Sequence, residues 1–185
     1  MGKPIRSFLF IALCALCSVT LVTQAAPASD MPSTWHGLTL NGKATRTKFF
    51  IHVYDIGLYL QKPSHDTGQL LNNDMPWGIR LVITTGMATR QKMIDSFNES
   101  FEKSTSGNIG PLKERINTFL NVFKEDPKEG DVLGFVNKPG EGVVVSKNDK
   151  VLSTVPGKDF QRALLGIWLG EKPAQESVKK GLLGQ

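Results

Sequence analysis

The chain has 185 residues, of which 40% are hydrophobic and 21% charged, and carries a formal net charge of +5. That is enough for one domain with its own core, and the composition excludes a disordered or collagen-like chain. Lysines and arginines are scattered singly or in pairs without an aromatic platform between them, which argues against a nucleic-acid partner.

Lys3 and Arg6 form a basic start, Ser7 to Val22 is an uncharged apolar run, and small residues follow at Thr23, Ala25, Ala26 and Ala28. This order predicts a secretory signal over 1–26, cut after Ala25, Ala26 or Ala28. The alternative is a retained anchor, but the run is short for a span of roughly 20 residues. Cys14 and Cys17 mimic a redox pair but lie inside this run and leave with it. The processed chain then holds no cysteine and, with 20 basic against 17 acidic residues, a net charge of +3. The expected location is periplasmic or secreted, with no membrane span after cleavage and no disulfide to support the core.

Residues 27–35, rich in Pro, Ser and Asp, read as a flexible lead-in, and 36–185 as a single domain. Leu38 and Leu40 alternate with polar residues, and Asn41-Gly42 is a hairpin-turn signal. Thr45 to Leu60 then reads as one long strand. Phe50, His52, Tyr54, Ile56 and Leu58 share one face of it, and Phe49, Ile51, Val53 and Tyr59 the other. Gly57 predicts a bulge or a close backbone approach. Residues 62–77 read as a polar loop, and Trp77 to Thr85 as another strand.

Thr89 is placed to cap a helix with Met93, Ile94, Phe97 and Phe101 inward. Gly107 ends it, and Pro111 opens a second helix with Leu112, Ile116, Phe119, Leu120 and Phe123 inward. Three short strands follow at Val132–Val136, Val143–Ser146 and Val151–Val155. Asp159 is expected to cap a helix with the stripe Phe160, Ala163, Leu164, Ile167 and Trp168, closed by Gly170. Pro173 opens a last short helix with Ala174, Val178 and Leu182 inward. Tight connections imply antiparallel pairing, so the class is α+β with helices layered on one face of a sheet.

No phosphate-binding loop, nucleophile elbow or zinc-protease motif is present. The three histidines, His36, His52 and His65, lack ligand spacing and have no cysteine beside them, so neither metal nor cofactor is expected. His52, on a strand taken as buried, is expected to be a hydrogen-bonded core residue. Asp55 is a minor site candidate because a buried carboxylate needs a donor. Arg46 and Tyr54 share a parity along the strand. A guanidinium at the mouth of a pocket lined by Phe50, Ile56 and aromatic helix residues would hold a carboxylate or phenolate; a solvent-exposed arginine at a strand start is the bland alternative.

These residues resemble the chalcone isomerase superfamily, in its bacterial exported branch. Gly42-x-x-x-Arg46 and Val53-Tyr54-Asp55-Ile56-Gly57-Leu58-Tyr59-Leu60 look like its arginine strand and the segment after it. Gly157-x-x-Phe160 and Ile167-Trp168-Leu169-Gly170-x-x-Pro173 look like its late helix and the junction behind it. The resemblance covers roughly 36–183 and implies an open-faced β-sandwich, a large antiparallel sheet with a helix layer and the ligand cleft between them.

The resemblance also implies that Arg46 anchors the ligand's anionic group, a flavonoid oxygen in the isomerases or a carboxylate in the fatty-acid-binding members. The strand threonine of the isomerases aligns with Tyr54, the helix tyrosine falls near Thr89, the helix asparagine near Ser96, and a late hydroxyl residue near Ile167. No tyrosine follows Tyr59, so the hydroxyl set that would polarise an enone is incomplete. The expected function is noncatalytic binding of a small amphipathic acid, such as a fatty acid, with Arg46, Tyr54, Thr89 and Ser96 as ligand-binding residues. The alternatives are an isomerase with a nonstandard hydroxyl set and a structural or interaction module of the envelope.

Overall fold

Alternation of apolar residues along the strands builds the fold from one meandering sheet, whose connections are tight turns except where helices are inserted after the third and the fourth strand. The computed structural model describes residues 31–185; the signal expected over 1–26 lies outside the described residues. Seven strands lie in chain order across the sheet, every neighbouring pair antiparallel. They are β1 (Thr34–Trp35), β2 (Leu38–Lys48), β3 (Ile51–Leu60), β4 (Trp77–Ile83), β5 (Val132–Lys138), β6 (Gly142–Lys147) and β7 (Lys150–Val155). The α-helices among the described residues are α1 (Thr67–Asn72), α2 (Arg90–Ser104), α3 (Lys113–Asn121), α4 (Lys158–Leu169) and α5 (Glu176–Leu182), and a 3-10 turn at Gly110–Leu112, which holds Pro111, leads into α3.

One face of the sheet carries Ile56, Leu58, Leu60, Ile79, Leu81, Ile83, Leu133, Phe135, Val143 and Val145, and these pack with the helix stripes in one core. Phe97 and Phe101 of α2, Phe119 of α3 and Phe160 of α4 meet there edge-on or tilted, with ring centroids 5.0 to 5.9 Å apart. Such geometry adds to the area term of burial. The other face is held differently. The Trp35 indole lies over Gly78 and Gly134, where an added Cβ would come within 3.1 and 3.0 Å of its ring. The end of the segment read as a lead-in thus takes part in the fold, with Met31 buried and Trp35 in β1.

The expected α+β architecture with helices over one antiparallel sheet is what the chain forms, but several local readings change. The run from Thr45 to Leu60 is two strands, β2 and β3, joined by a turn at Phe49 and Phe50, whose φ angles are 48° and 65°. Asn41-Gly42 makes no turn; it lies within β2, where Asn41 is the extra residue of a β-bulge. The amide of Asn41 donates to the Leu182 carbonyl, and Gly42 lets the α5 backbone approach. Gly57 pairs regularly with Lys43 and Arg80, so there is no bulge, and what comes close is not backbone but the side chains of Tyr59, Leu40 and Met31, 3.0 to 3.2 Å from an added Cβ. His52, next to the turn, is exposed instead of buried in the core.

The stretch read as a polar loop contains α1, capped by the Asp66 carboxylate on the Gln69 N–H and anchored by buried Leu70. The cap of α4 is Gly157, not Asp159. Asp159 sits in the first turn of α4, where its carboxylate accepts from Nη1 and Nη2 of Arg115. Pro173 precedes the last helix instead of opening it, and α5 begins at Glu176.

Candidate functional site

The turn end of the β2–β3 hairpin, α2 and the end of α4 line a cleft of about 530 Å³. That volume lies within the range of small-molecule sites. Its floor is apolar, with Leu81, Ile83, Phe97, Leu133, Ile167 and Trp168. Lys48, Lys92, Asp95, Ser96 and Glu99 bring polar groups to the rim.

Tyr54 lies inside the cleft, and the residue opposite it depends on a bulge. The turn at Phe49 and Phe50 pairs Lys48 with Ile51 and Thr47 with His52. Val53 is then skipped, and Arg46 stands opposite Tyr54. The bulge thereby brings Arg46 to the face of Tyr54. Tyr54 lies on the face of Ile56 and Leu58, with which it alternates along β3, and there its hydroxyl oxygen accepts the Trp168 indole N–H at 3.0 Å. Because that oxygen accepts from Trp168, the O–H proton stays available to a third group. Burial pushes the Tyr54 hydroxyl above its ordinary range, and the Trp168 N–H and the Arg46 charge offset only part of that. Tyr54 is therefore a neutral donor at every physiological pH.

Arg46 shares the face of Tyr54 but does not line the cleft. Its Nη1 donates to the Ala174 carbonyl, and the neighbouring Thr47 N–H donates to Gln175 Oε1 at 3.1 Å, which ties β2 to the segment before α5. Its charge is nevertheless felt at Tyr54 and at Glu99. Glu99 is held below the usual carboxylate range chiefly by its hydrogen bond to Lys103.

Ser96 lines the cleft. Thr89 does not; its hydroxyl oxygen accepts the Lys92 N–H at 3.2 Å as the N-cap of α2. Phe50 and Ile56, expected to line the pocket, stand outside it, the first in solvent and the second fully in the core. Asp55 is buried on the opposite face of the sheet, where it accepts from the Thr45 hydroxyl at 2.5 Å. The structure thus brings Tyr54 and Ser96 to one cleft, holds Arg46 beside it, and keeps Thr89 in a capping role.

Four contributors escaped the sequence reading. Trp168 reads as a core residue because its helical spacing matches a buried stripe, and only tertiary packing shows its N–H meeting Tyr54. Lys92 and Ser100 could have been found from Ser96, since residues four apart share a helix face. Lys48 had no signal while the hairpin was read as one strand.

Comparison with known proteins agrees with this architecture. A family model described as chalcone isomerase-like matches residues 21–184. Among solved structures, the fatty-acid binding protein of Arabidopsis thaliana is similar, with a TM-score of 0.67 at 18% identity over 83% of this chain and 90% of that one. No curated protein matches the chain. With the match spanning nearly all of the sequence and the fold in agreement, the chain belongs to the chalcone isomerase-like family.

Proposed function

We propose that the protein is a noncatalytic binder of a small amphipathic carboxylate, of the fatty-acid kind, held in the cleft between the sheet and α2. The observation that carries this reading is the Tyr54–Trp168 pair, which presents a neutral O–H donor at the edge of an apolar floor. A carboxylate would accept that proton while its chain lies over Leu81, Ile83, Phe97 and Ile167. Arg46 supplies the neighbouring positive charge and would contact the ligand directly by leaving the Ala174 carbonyl. Ser96 adds a hydroxyl at the rim. The similar fold of a plant fatty-acid binding protein supports the same class of ligand.

An isomerase would need hydroxyl groups converging on one carbonyl, and the Thr89 hydroxyl already accepts a backbone N–H of α2. The basic start and apolar run at the N-terminus support export to the periplasm. Mass spectrometry of the natively purified protein is the direct test, together with titration of a fatty acid into wild type, Arg46→Ala and Tyr54→Phe. Co-purifying lipid that is depleted in both variants is expected. A protein that carries no lipid and takes up no fatty acid would overturn the reading, and turnover of a chalcone above the spontaneous rate would replace it with an isomerase.

A further inference from the structure

The hairpin that carries Tyr54 ends in two phenylalanines that have no place in the core. Phe50 is 100% exposed and Phe49 82%, while Ile51 beside them is 39% and Met87 across the cleft mouth 56% exposed. Single exposed apolar residues are ordinary, but here four of them gather at one rim. Phe49, Ile51 and Met87 also line the cleft, so the exposed patch runs continuously into its floor.

The turn itself is unusual for its residues. Both phenylalanines have left-handed φ, 48° and 65°, where a two-residue hairpin turn ordinarily takes Asn-Gly. A bulky residue with such a φ is strained, and strain of this sort persists where a function holds it. Here it leaves two rings almost wholly in solvent.

Charge identifies the surface they face. Lys48 precedes the tip and Lys92 of α2 lines the same cleft; neither has an ion-pair partner among the described residues, the Lys92 ammonium donating only to the Met87 carbonyl at 3.3 Å. Of the acidic residues on the same rim, Glu99 is offset by Lys103 at 2.6 Å, and Asp95, which accepts from the neutral Gln91 amide at 2.7 Å, leaves the two lysines in excess. Protruding aromatic rings with unpaired lysines behind them suit the headgroup boundary of an anionic bilayer.

We propose that the Phe49–Phe50 tip docks the protein on an anionic phospholipid membrane by inserting its rings at the interface. Resting on the ligand reading above, the cleft mouth then opens toward the lipid phase from which an amphipathic acid would enter or leave.

The test is sedimentation of the purified protein with vesicles of phosphatidylcholine, with and without phosphatidylglycerol. It uses wild type, Phe50→Asn and Phe50→Leu, since Phe50 lies outside the cleft lining and Asn tolerates the left-handed φ. The expected result is binding to the phosphatidylglycerol vesicles that weakens with salt, falls about tenfold or more in Phe50→Asn, and is largely kept in Phe50→Leu. Absence of binding by wild type, equal binding by Phe50→Asn, or indifference to phosphatidylglycerol would overturn the proposal. A solution dimer that Phe50→Asn dissociates would overturn it too, by assigning the tip to a second copy of the chain. Fatty-acid titration without vesicles separates the two readings, because its failure removes the ligand and leaves the vesicle result standing.

Discussion

Arg46 and Tyr54 face each other directly across β2 and β3, and they do so because Val53 is left unpaired between them and the turn. Without that extra residue the register set at Lys48 and Ile51 would bring Val53 opposite Arg46, and the guanidinium would stand on the face opposite to Tyr54. Tyr54 itself keeps the face of Ile56 and Leu58 through the regular pairing of β3 with β4, and there its hydroxyl accepts the Trp168 N–H. A local backbone irregularity thus sets the Arg46 charge beside the most specific polar contact of the candidate site, between Tyr54 and Trp168.

That contact makes a stability prediction. Trp168 is 1% exposed, so Tyr54→Phe leaves an indole N–H buried without its acceptor. The expected cost is about 1–3 kcal/mol in urea unfolding. Adding Trp168→Phe to Tyr54→Phe should cost less than the sum of the two single changes, since the pair couples. Strict additivity would mean that the 3.0 Å contact contributes nothing.

The sequence made Arg46 and Tyr54 neighbours through an argument about one strand, and the structure makes them neighbours across two. The conclusion survived because Val53 restores the parity that the two-residue turn would have broken. The turn was hidden because Phe-Phe carries the β-propensity of a strand interior and none of the glycine or asparagine that usually marks left-handed φ. In the same way α1 was hidden by Asn and Asp around a single buried Leu70. The amphipathic helices α2 to α4 and the meander β5–β7 were legible, since repeated apolar spacing there records one-sided burial. The Arg46 contact with Ala174 spans 128 positions and leaves no local trace, which is why the guanidinium was expected in the pocket.

Packing of α5 on β2 allows no side chain at Gly42. A Cβ there would lie 2.2 Å from the Gly181 carbonyl oxygen and 2.5 Å from that of Leu182, both backbone atoms that cannot rotate aside. Gly42→Ala should therefore destabilise by about 1–3 kcal/mol or more and loosen α5, read as faster amide exchange over 176–182. Gly86→Ala, with open space around its Cβ, is the control and should stay within about 0.5 kcal/mol of wild type.

Asp131 predicts an acid limb in the stability curve. Desolvation raises its pKa, but the Lys128 N–H, the Lys147 ammonium and the Asn148 amide outweigh that and hold it at about 2. A folded pKa below the unfolded one gives stability that is complete above the unfolded value and is lost as pH falls toward the folded one. Up to about 2 kcal/mol should disappear between roughly pH 4 and pH 2, somewhat less because Lys147 keeps contact with solvent. Asp131→Asn should flatten that part of the curve, and an unchanged slope from pH 4 to 2 would remove the carboxylate from the account.

The strained turn makes the sharpest prediction, because its stability and its proposed role pull in opposite directions. Replacing Phe49-Phe50 by Asn-Gly puts residues suited to left-handed φ at 48° and 65°, while removing rings that contribute little burial at 82% and 100% exposure. The double variant should gain about 1–2 kcal/mol in urea unfolding, since non-glycine residues pay roughly that much for the left-handed region. The same variant should sediment less with anionic vesicles than wild type does. A variant that is both more stable and poorer at docking cannot owe its lost docking to unfolding. If Asn-Gly instead leaves stability unchanged, the phenylalanines are not strained, and membrane docking loses one of its supports while the unpaired lysines and the exposed rim remain.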